Sequence, residues 1–299
     1  MAQASKAQVK NAYKYCIHLA YSHYENFPIA SFFLPKALKN PIAVIYAFAR
    51  IADDVTDEGK LSPHSRLQVL NFFEKQLELI ESENSLESNG EIFIALADAI
   101  SDYQLPISAF KKLLMAFKQD VIKNRYIDFD EVLYYCRYSA NPIGELLLHL
   151  VGQATPNNLQ YSDYICTGLQ LINFMQDFYL DLKKRDRCYF SATELSYFEV
   201  SIEELMKQHV SERIDLFMNY QLKRIITIYE NGLPLSDKLT GLIGFEIRLT
   251  MEGCHQIIKA LKVRSNHYLR PRLMLSDRCQ MLIKALLPKR YRSNKIIYK

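Results

Sequence analysis

The chain has 299 residues and a formal net charge of +4, and its 49% hydrophobic and 23% charged residues exclude a disordered protein. Only 9 residues are glycine and no G-x-G-x-x-G or G-x-x-x-x-G-K-S/T pattern occurs, which argues against a Rossmann or P-loop nucleotide site. The 6 cysteines form no C-x-x-C pair, so we expect neither a zinc site nor a disulfide framework, and the mild charge predicts no nucleic-acid partner.

Apolar residues recur with helical spacing along most of the chain, and clear signals mark the first helices. Pro41 is placed to begin a helix that Gly59 ends, because proline suits the first helical turn and glycine the position after the last. Ser62, followed by a proline, is placed to begin the next helix, which continues to about Glu83. A polar loop is predicted over 82–90.

Further signals divide the middle of the chain. Pro106 precedes another helical run, and breaks are predicted at 157–158 and 183–186. Asn141-Pro142 interrupts an apolar run and should break its helix, since proline lacks a backbone donor and clashes with the preceding turn.

Ser201 and Glu204 form a capping-box pattern at the start of a run that we predict to be one helix as far as Gly232. Alternating β-branched runs joined by tight turns are missing. The sequence therefore predicts an all-α protein of about ten helices, with one domain over residues 1–299.

Two polar stripes on otherwise apolar helices carry the chemistry. In the first, Tyr46, Arg50, Asp53 and Asp57 are three or four residues apart and so share one helix face, whereas Asp54 points off the stripe. The second stripe has the same spacing and consists of Gln170, Asn173, Asp177 and Asp181.

Each stripe places two carboxylates one helical turn apart, which destabilises an isolated helix by about 0.2–0.5 kcal/mol. Mg²⁺ would compensate, because this cation binds a few carboxylate or amide oxygens and completes its octahedron with water and phosphates. Two alternatives compete: solvated helix faces, and a four-helix di-iron site. The di-iron site requires a Glu-x-x-His pair from each of two helices, which the chain does not supply.

Four ordered motifs resemble the squalene/phytoene synthase family. They are Y-A-F-A-R-x-A-D-D-x-x-D at 46–57, Y-C-R-x-S-A-N-P-x-G at 135–144, Q-L-I-N-F-x-Q-D-x-x-x-D at 170–181 and D-R-x-Y-F at 186–190. The resemblance extends over about residues 10–290 and implies a single all-α isoprenoid-synthase domain, a helical bundle around a central cavity, with a prenyl diphosphate substrate and Mg²⁺ as cofactor.

The resemblance also implies roles for individual residues. The expected Mg²⁺ ligands are Asp53, Asp57, Asn173, Asp177 and Asp181. The aspartates among them, with Tyr46 and Asn141, are the expected catalytic residues. The expected substrate-binding residues are His23, Arg50, Arg137, Gln170, Arg187 and Tyr189. Aromatic faces stabilise a carbocation without attacking it, and the candidates for this role are Tyr46, Phe27, Tyr135, Phe174 and Tyr189. Lys183, Lys184 and Arg185 are either a closing flap or a solvated charge run.

Within the family the sequence is most similar to bacterial hydroxysqualene synthases of hopanoid pathways. It carries His23-Tyr24-Glu25-Asn26-Phe27 where condensing members often have a basic residue, and Gln176 where they usually have arginine. This resemblance implies conversion of presqualene diphosphate and water to hydroxysqualene and diphosphate. Our further hypothesis is that Asn141 and the carbonyls freed by Pro142 orient the water that captures the cation.

Two other functions stay open. One is head-to-head condensation of two farnesyl or geranylgeranyl diphosphates to presqualene diphosphate, squalene or phytoene. The other, from a different class, is a non-catalytic lipid-binding or assembly protein on the same scaffold, which would have no need of two complete aspartate pairs.

The two chain ends bear on location. The first residues show no basic segment followed by an apolar one, and no stretch of 18 apolar residues occurs, so we expect neither a secretory signal nor a spanning helix. Residues 288–299 contain five Lys or Arg and no acidic residue, which suits either an anionic membrane surface or a flexible solvated terminus. The expected location is the cytoplasm, with peripheral contact at the inner face of the membrane as the further possibility.

Overall fold

In a computed structural model, which describes residues 4–22, 35–57, 59, 61–82 and 90–286, every regular element is an α-helix. This confirms the all-α prediction over the described ranges; their one β-type contact is an isolated bridge between Tyr126 and Ser191. The chain divides into two compact units, Met1–Ile122 with Pro142–Thr155, and Lys123–Asn141 with Pro156–Lys299.

The first unit is built around the second helix of the chain. Its helices are α1 (Lys6–Ser22), α2 (Lys36–Asp57), α3 (Pro63–Glu81), α4 (Glu91–Tyr103), α5 (Ile107–Ile122) and, apart from its first residue, α7 (Asn141–Leu150). Helix α2 packs against α1, α3, α4 and α5. Its fully buried Phe48 ring lies 5.6 Å from the ring of Phe73 on α3 and 5.2 Å from that of Phe110 on α5. This apolar packing fixes the orientation of α2 and therefore of its polar stripe.

The second unit is built around a 30-residue helix, α8. Its helices are α6 (Phe129–Ser139), α8 (Pro156–Arg185), α9 (Ala192–Tyr197), α10 (Ile202–Met206), α11 (Glu212–Glu230), α12 (Leu235–Lys238), α13 (Gly241–Val263) and α14 (Leu275–Ala285). Helix α8 packs against α6, α10, α11, α12 and α13, and α13 also packs against α14. Gly168 allows α11 to pack closely against α8, because a Cβ at that position would lie 2.8 Å from the Cβ of Tyr229 on α11.

Several predicted helix boundaries are confirmed. Ser62 caps α3 through a hydrogen bond from the Ser65 backbone N–H, and Ser201 with Glu204 forms the predicted capping box. Gly59 has φ of +79°, the conformation in which glycine ends a helix. The predicted break at Asn141-Pro142 separates α6 from α7.

The break predicted at 157–158 was wrong, because both residues lie in the first turn of α8, and the break predicted at 183–186 begins only after Arg185. Two other boundary predictions were also wrong. The run from Ser201 to Gly232 is two helices, because Gln208 adopts φ of +53° and Ser211 caps a new helix. The described residues hold fourteen helices instead of about ten, since single-turn helices such as α10 and α12 have no periodic pattern to detect.

The other wrong prediction concerns Pro41, which lies inside α2, a helix that begins at Lys36. A proline has no N–H to donate to the carbonyl four residues earlier, which is that of Ala37. The Tyr103 hydroxyl donates to the Ala37 carbonyl at 3.0 Å. A side chain from α4 thus replaces the missing backbone donor, which the sequence of α2 alone does not reveal.

Removing the Tyr103 hydroxyl is expected to destabilise the folded protein. Tyr103→Phe is expected to lower the free energy of unfolding by about 1 kcal/mol, the usual net value of one hydrogen bond. In a Pro41→Ala background the restored backbone N–H satisfies the Ala37 carbonyl, so the same change should cost much less. Urea unfolding of the four proteins measures this difference; equal costs in both backgrounds would contradict the explanation.

No helix in the described part of the chain is long and apolar enough to cross a membrane. The predictions of one domain over 1–299, of a central cavity and of a flexible basic tail stay predictions, and the tail lies outside the described residues.

Candidate active site

Helix α2 carries the first acidic stripe, with Tyr46, Arg50, Asp53 and Asp57 partly buried along one face. The Arg50 Nη2 atom lies 2.8 Å from Asp54 Oδ1, one turn further along the helix. Asp54 therefore supports Arg50, in keeping with its predicted place off the stripe. The Thr56 hydroxyl donates to the Asp53 carbonyl at 2.7 Å, which ties down the last turn beside Asp57.

Asp53 is the most electrostatically perturbed carboxylate of this stripe. Burial raises its pKa to about 7, and the negative charges of Asp57 and Asp120 raise it further than the charge of Arg50 lowers it. Asp120 belongs to α5, which packs against α2, and sequence reasoning missed it. The available signal was its spacing: Asp120 continues the buried stripe of Ala116 and Phe117 at three- and four-residue intervals.

The raised pKa of Asp53 makes stability depend on pH. Because the folded protein binds this proton more tightly than the unfolded chain does, the free energy of unfolding falls as pH rises from about 4 to about 7. In metal-free protein we expect Asp53 to contribute a loss of at most about 4 kcal/mol over that range. Urea unfolding in EDTA at pH 5 and 7.5 should show the decline in wild type and a clearly smaller one in Asp53→Asn; an unchanged slope would contradict the assignment.

Helix α8 carries the second acidic stripe, and two arginines contact it. The Arg270 Nε atom lies 2.6 Å from Asp177 Oδ1, and the Arg185 Nη1 atom lies 2.9 Å from Asp181 Oδ1. Burial raises the pKa of Asp177, and it raises that of Asp181 to about 6, although these arginines oppose both shifts. Arg270 follows α13 and was not predicted, because no local pattern links it to a helix some ninety residues earlier.

The other predicted site residues of the second unit differ in how exposed their side chains are. Asn173 and Arg137 are exposed, whereas Gln170 is half-buried on the same stripe as Asp177. Lys183, Lys184 and Arg185 are all exposed at the end of α8, which favours the solvated charge run, with Arg185 tied to Asp181. His23 and Phe27 lie outside the described residues.

Four aromatic rings form a cluster beside this stripe. Phe174 of α8 stacks on Tyr189 with ring centroids 3.5 Å apart, and both rings lie within 6.0 Å of the ring of Tyr135 on α6. Tyr126, which the sequence did not single out, lies 5.8 Å from Tyr135 and 5.6 Å from Tyr189. Three of the five aromatic candidates are therefore brought together within one unit.

Arg187 is almost completely buried, with 8% of its surface exposed, and follows the end of α8. Its backbone N–H donates to the Asp181 carbonyl, and its Nη1 atom donates to the Tyr189 hydroxyl at 3.5 Å. Asp186, with φ of +49°, makes the turn that directs Arg187 inward. The helix end thus joins the acidic stripe to the aromatic cluster.

Asn141 is buried at the break between α6 and α7. Its amide oxygen accepts a hydrogen bond of 2.9 Å from the Thr167 hydroxyl of α8. The side chain is thereby held in one orientation at the position where the sequence places a water-orienting amide.

The donor sets on the two stripes fit Mg²⁺ chemically. Each supplies carboxylate oxygens whose raised pKa values show that neighbouring arginines compensate only part of the cost of burying negative charge, and a bound cation would relieve the rest. Among the described residues no group of three or more His, Cys, Asp or Glu is placed to hold a metal alone, and Mg²⁺ needs only one or two carboxylates with substrate phosphates and water.

The single Glu-x-x-His spacing of the chain, Glu252 and His255 on α13, does not support the di-iron alternative. Both side chains are buried, with Glu252 Oε1 3.8 Å from His255 Nδ1. The Lys284 Nζ atom lies 3.7 Å from Glu252 Oε2. The sequence contains this one pair, whereas a di-iron site needs a Glu-x-x-His pair from each of two helices.

A family model and several known proteins match most of the chain. A family model described as squalene/phytoene synthase matches residues 21–279. Hydroxysqualene synthases from Rhodopseudomonas palustris and Sinorhizobium fredii are each 32% identical, over 80% and 84% of both chains respectively. A phytoene synthase from Arthrospira platensis is 28% identical over 75% of this chain and 76% of its own.

Solved structures share the helical architecture. The squalene synthase HpnC from Alicyclobacillus acidocaldarius is 28% identical with a TM-score of 0.79, covering 86% of this chain and 95% of that one. A dehydrosqualene synthase in complex with ligand has a TM-score of 0.78 at 20% identity, covering 94% of this chain and 97% of that one, and supports the fold alone.

Proposed function

Because the chain belongs to the squalene/phytoene synthase family and is a prenyl-diphosphate-processing enzyme, we propose that it converts presqualene diphosphate and water to hydroxysqualene and diphosphate, with Mg²⁺ as cofactor. The observation that carries this proposal is a difference in similarity. Hydroxysqualene synthases from three bacteria are 32–33% identical to this chain, whereas the phytoene synthases are 25–28% identical.

Gln176 gives independent support. Its amide nitrogen donates to the Pro271 carbonyl at 2.7 Å, at a position where the family resemblance places arginine in condensing members. A neutral amide engaged with the backbone offers no charge to a second diphosphate. This is the property expected of an enzyme that binds one prenyl diphosphate at a time.

In the proposed reaction, the carbon–oxygen bond to diphosphate breaks and the electron pair leaves with the diphosphate. Bound Mg²⁺ supplies Lewis-acid stabilisation of that leaving group, and the residues that would hold it are Asp53, Asp57, Asn173, Asp177 and Asp181. Arg50 and Arg187 are the residues that would bind diphosphate oxygens, because a guanidinium fork matches phosphate geometry.

The carbocation left behind needs stabilisation until water reaches it. The rings of Tyr135, Phe174 and Tyr189 present π faces that attract a cation by about 0.5–2 kcal/mol each. Asn141, held by Thr167, orients the water whose oxygen forms the new carbon–oxygen bond and whose proton is then released. Before capture, one carbon–carbon bond of the cyclopropane ring in the presqualene cation breaks, which moves the positive charge to the carbon that the water attacks. Hydroxysqualene results because the water attacks this carbon before a proton is lost from the cation.

Head-to-head condensation is the second candidate. The observation that favours it is the 28% identity and TM-score of 0.79 with a protein described as a squalene synthase. Two prenyl diphosphates would then be consumed in each cycle. The non-catalytic alternative is disfavoured because both aspartate pairs are complete.

Product analysis tests the proposal. Purified protein is incubated separately with presqualene diphosphate and with farnesyl diphosphate, with Mg²⁺ or with EDTA, and products are identified by mass spectrometry. We expect an alcohol from presqualene diphosphate in Mg²⁺ only, and no product from farnesyl diphosphate. Conversion of farnesyl diphosphate to presqualene diphosphate, squalene or a related hydrocarbon would instead establish condensation.

We also propose peripheral contact with an anionic membrane. Leu282, Ile283 and Leu286 are exposed on one side of α14 and its end, and the basic residues of 288–299 follow directly in the sequence. Apolar burial together with Lys and Arg near anionic lipid favours such binding. Flotation with phosphatidylserine vesicles should carry the protein upward and phosphatidylcholine vesicles should not; equal behaviour would refute the proposal.

A further inference from the structure

Helix α13 and the residue that follows it carry two side chains with buried hydrogen-bond donors that nothing in the described part of the chain satisfies. The amide nitrogen of Gln256 and the three guanidinium nitrogens of Arg264 are all buried without a hydrogen-bond partner. Neither side chain has a role in the proposed reaction. Buried polar groups are nearly always paired in proteins, so this pair requires an explanation.

The two side chains leave the same side of the helix. Gln256, Ala260 and Arg264 follow one another at four-residue intervals, which places them along one face. Arg264 is the C-cap residue, and its φ of −67° continues the helical backbone as far as its Cα. Its Cβ therefore tilts back toward the helix N-terminus, over the small Ala260 and in the direction of Gln256.

Arg264 is charged at neutral pH. Burial lowers its pKa to about 10, and no carboxylate compensates for that effect. An unpaired buried cation is unfavourable in a folded protein. An anion that binds there therefore does so more favourably, because the cost of removing water from the guanidinium has already been met on folding.

The chemistry of the unsatisfied atoms specifies the ligand. All of them are N–H donors, so the complement is a set of acceptor oxygens carrying negative charge. A planar guanidinium fork matches two oxygens of one phosphate group, and the amide N–H adds a further donor.

The segment that begins at Arg264 leads to the second acidic stripe. Tyr268 packs its ring 5.5 Å from that of Phe178, Arg270 contacts Asp177, and the Pro271 carbonyl accepts from Gln176. We propose that Gln256 and Arg264 form an oxyanion site that binds a diphosphate group on the α13 side of this stripe. The identity of the anion as a diphosphate rests on the proposed function.

Binding in the absence of metal tests the site separately from catalysis. The thermal unfolding midpoint of the full chain is measured in EDTA against increasing inorganic pyrophosphate and, in a second series, farnesyl diphosphate. A ligand that binds only the folded protein raises this midpoint. Arg264→Met removes the charge at similar length, Gln256→Leu removes the amide donor, and Arg278→Met, at an exposed arginine of α14, is the matched control.

We expect wild type and Arg278→Met to respond alike, and Arg264→Met to bind at least about tenfold more weakly, as for the loss of a charge-assisted pair. Gln256→Leu should fall between them. Without ligand, Arg264→Met should unfold at the wild-type temperature or above, because an unpaired buried charge has been removed. A response to both probes supports a site for the diphosphate group itself, whereas a response to farnesyl diphosphate alone would mean that binding depends on the prenyl chain and would count against the site.

Three further results would overturn the proposal: no response of wild type to either probe, wild-type affinity in Arg264→Met, or a markedly lower ligand-free midpoint in Arg264→Met, which would show that the protein itself pairs this charge. Arg264→Lys, which keeps the charge but loses the fork, is a second test of binding and must also bind more weakly than wild type. Product analysis with presqualene diphosphate is independent, so metal-free binding without turnover would refute the proposed function and leave the oxyanion site standing.

Discussion

Replacing Asp177 with asparagine is expected to lower kcat at least about 10³-fold, which corresponds to roughly 4 kcal/mol of lost transition-state stabilisation. The change keeps the shape of the side chain and removes only its negative charge. It therefore lowers the affinity of α8 for Mg²⁺ without creating a cavity in the protein. Steady-state turnover of presqualene diphosphate at saturating Mg²⁺ measures the loss. A partial recovery at higher Mg²⁺ would further indicate that metal affinity is what changed.

Stability should hardly respond to this substitution. The ion pair between Asp177 and Arg270 is about a quarter to a third exposed, and such pairs contribute about 0–1 kcal/mol. Asp163→Asn, at an exposed aspartate on the same helix, is the matched control and should keep wild-type turnover. Retention of more than a tenth of wild-type kcat by Asp177→Asn would contradict a role for Asp177 in metal binding.

Replacing Asn141 with alanine is expected to redirect the reaction. If this amide orients the capturing water, its loss should lower the share of alcohol among the products by about tenfold, the effect of one hydrogen bond at the branching step. Hydrocarbons formed by proton loss from the same cation should increase in proportion. Mass analysis of products from presqualene diphosphate measures the ratio directly.

Thr167→Val separates the amide from the hydrogen bond that holds it. This variant is close in size to wild type and removes the 2.9 Å bond to Asn141 while leaving the amide in place. We expect both variants to lose some stability but Thr167→Val to keep a mostly alcoholic product. The same product shift in both would show that the buried hydrogen bond, and not the amide itself, sets the outcome.

Local sequence patterns were sufficient for the helical class and for both acidic stripes. Helix periodicity depends on neighbours three and four residues apart, so the shared face of Asp53 with Asp57, and of Asp177 with Asp181, follows from spacing alone. Caps are equally local, and Ser62, Ser201 and the break at Asn141-Pro142 appear as expected. The helix start predicted at Pro41 was wrong because the hydroxyl group that replaces the missing backbone donor comes from α4, which is not a local neighbour.

The sequence by itself determined which side chains share a helix face and, through its motifs, which chemistry they suit. Only the tertiary structure decided which groups from distant segments meet them: Asp120 beside Asp53, Arg270 on Asp177 and Thr167 on Asn141. It alone also showed that Gln256 and Arg264 are buried without a hydrogen-bond partner among the described residues. The physical reason is that burial and pairing depend on packing between helices, which brings together residues whose separation along the chain carries no periodic signal.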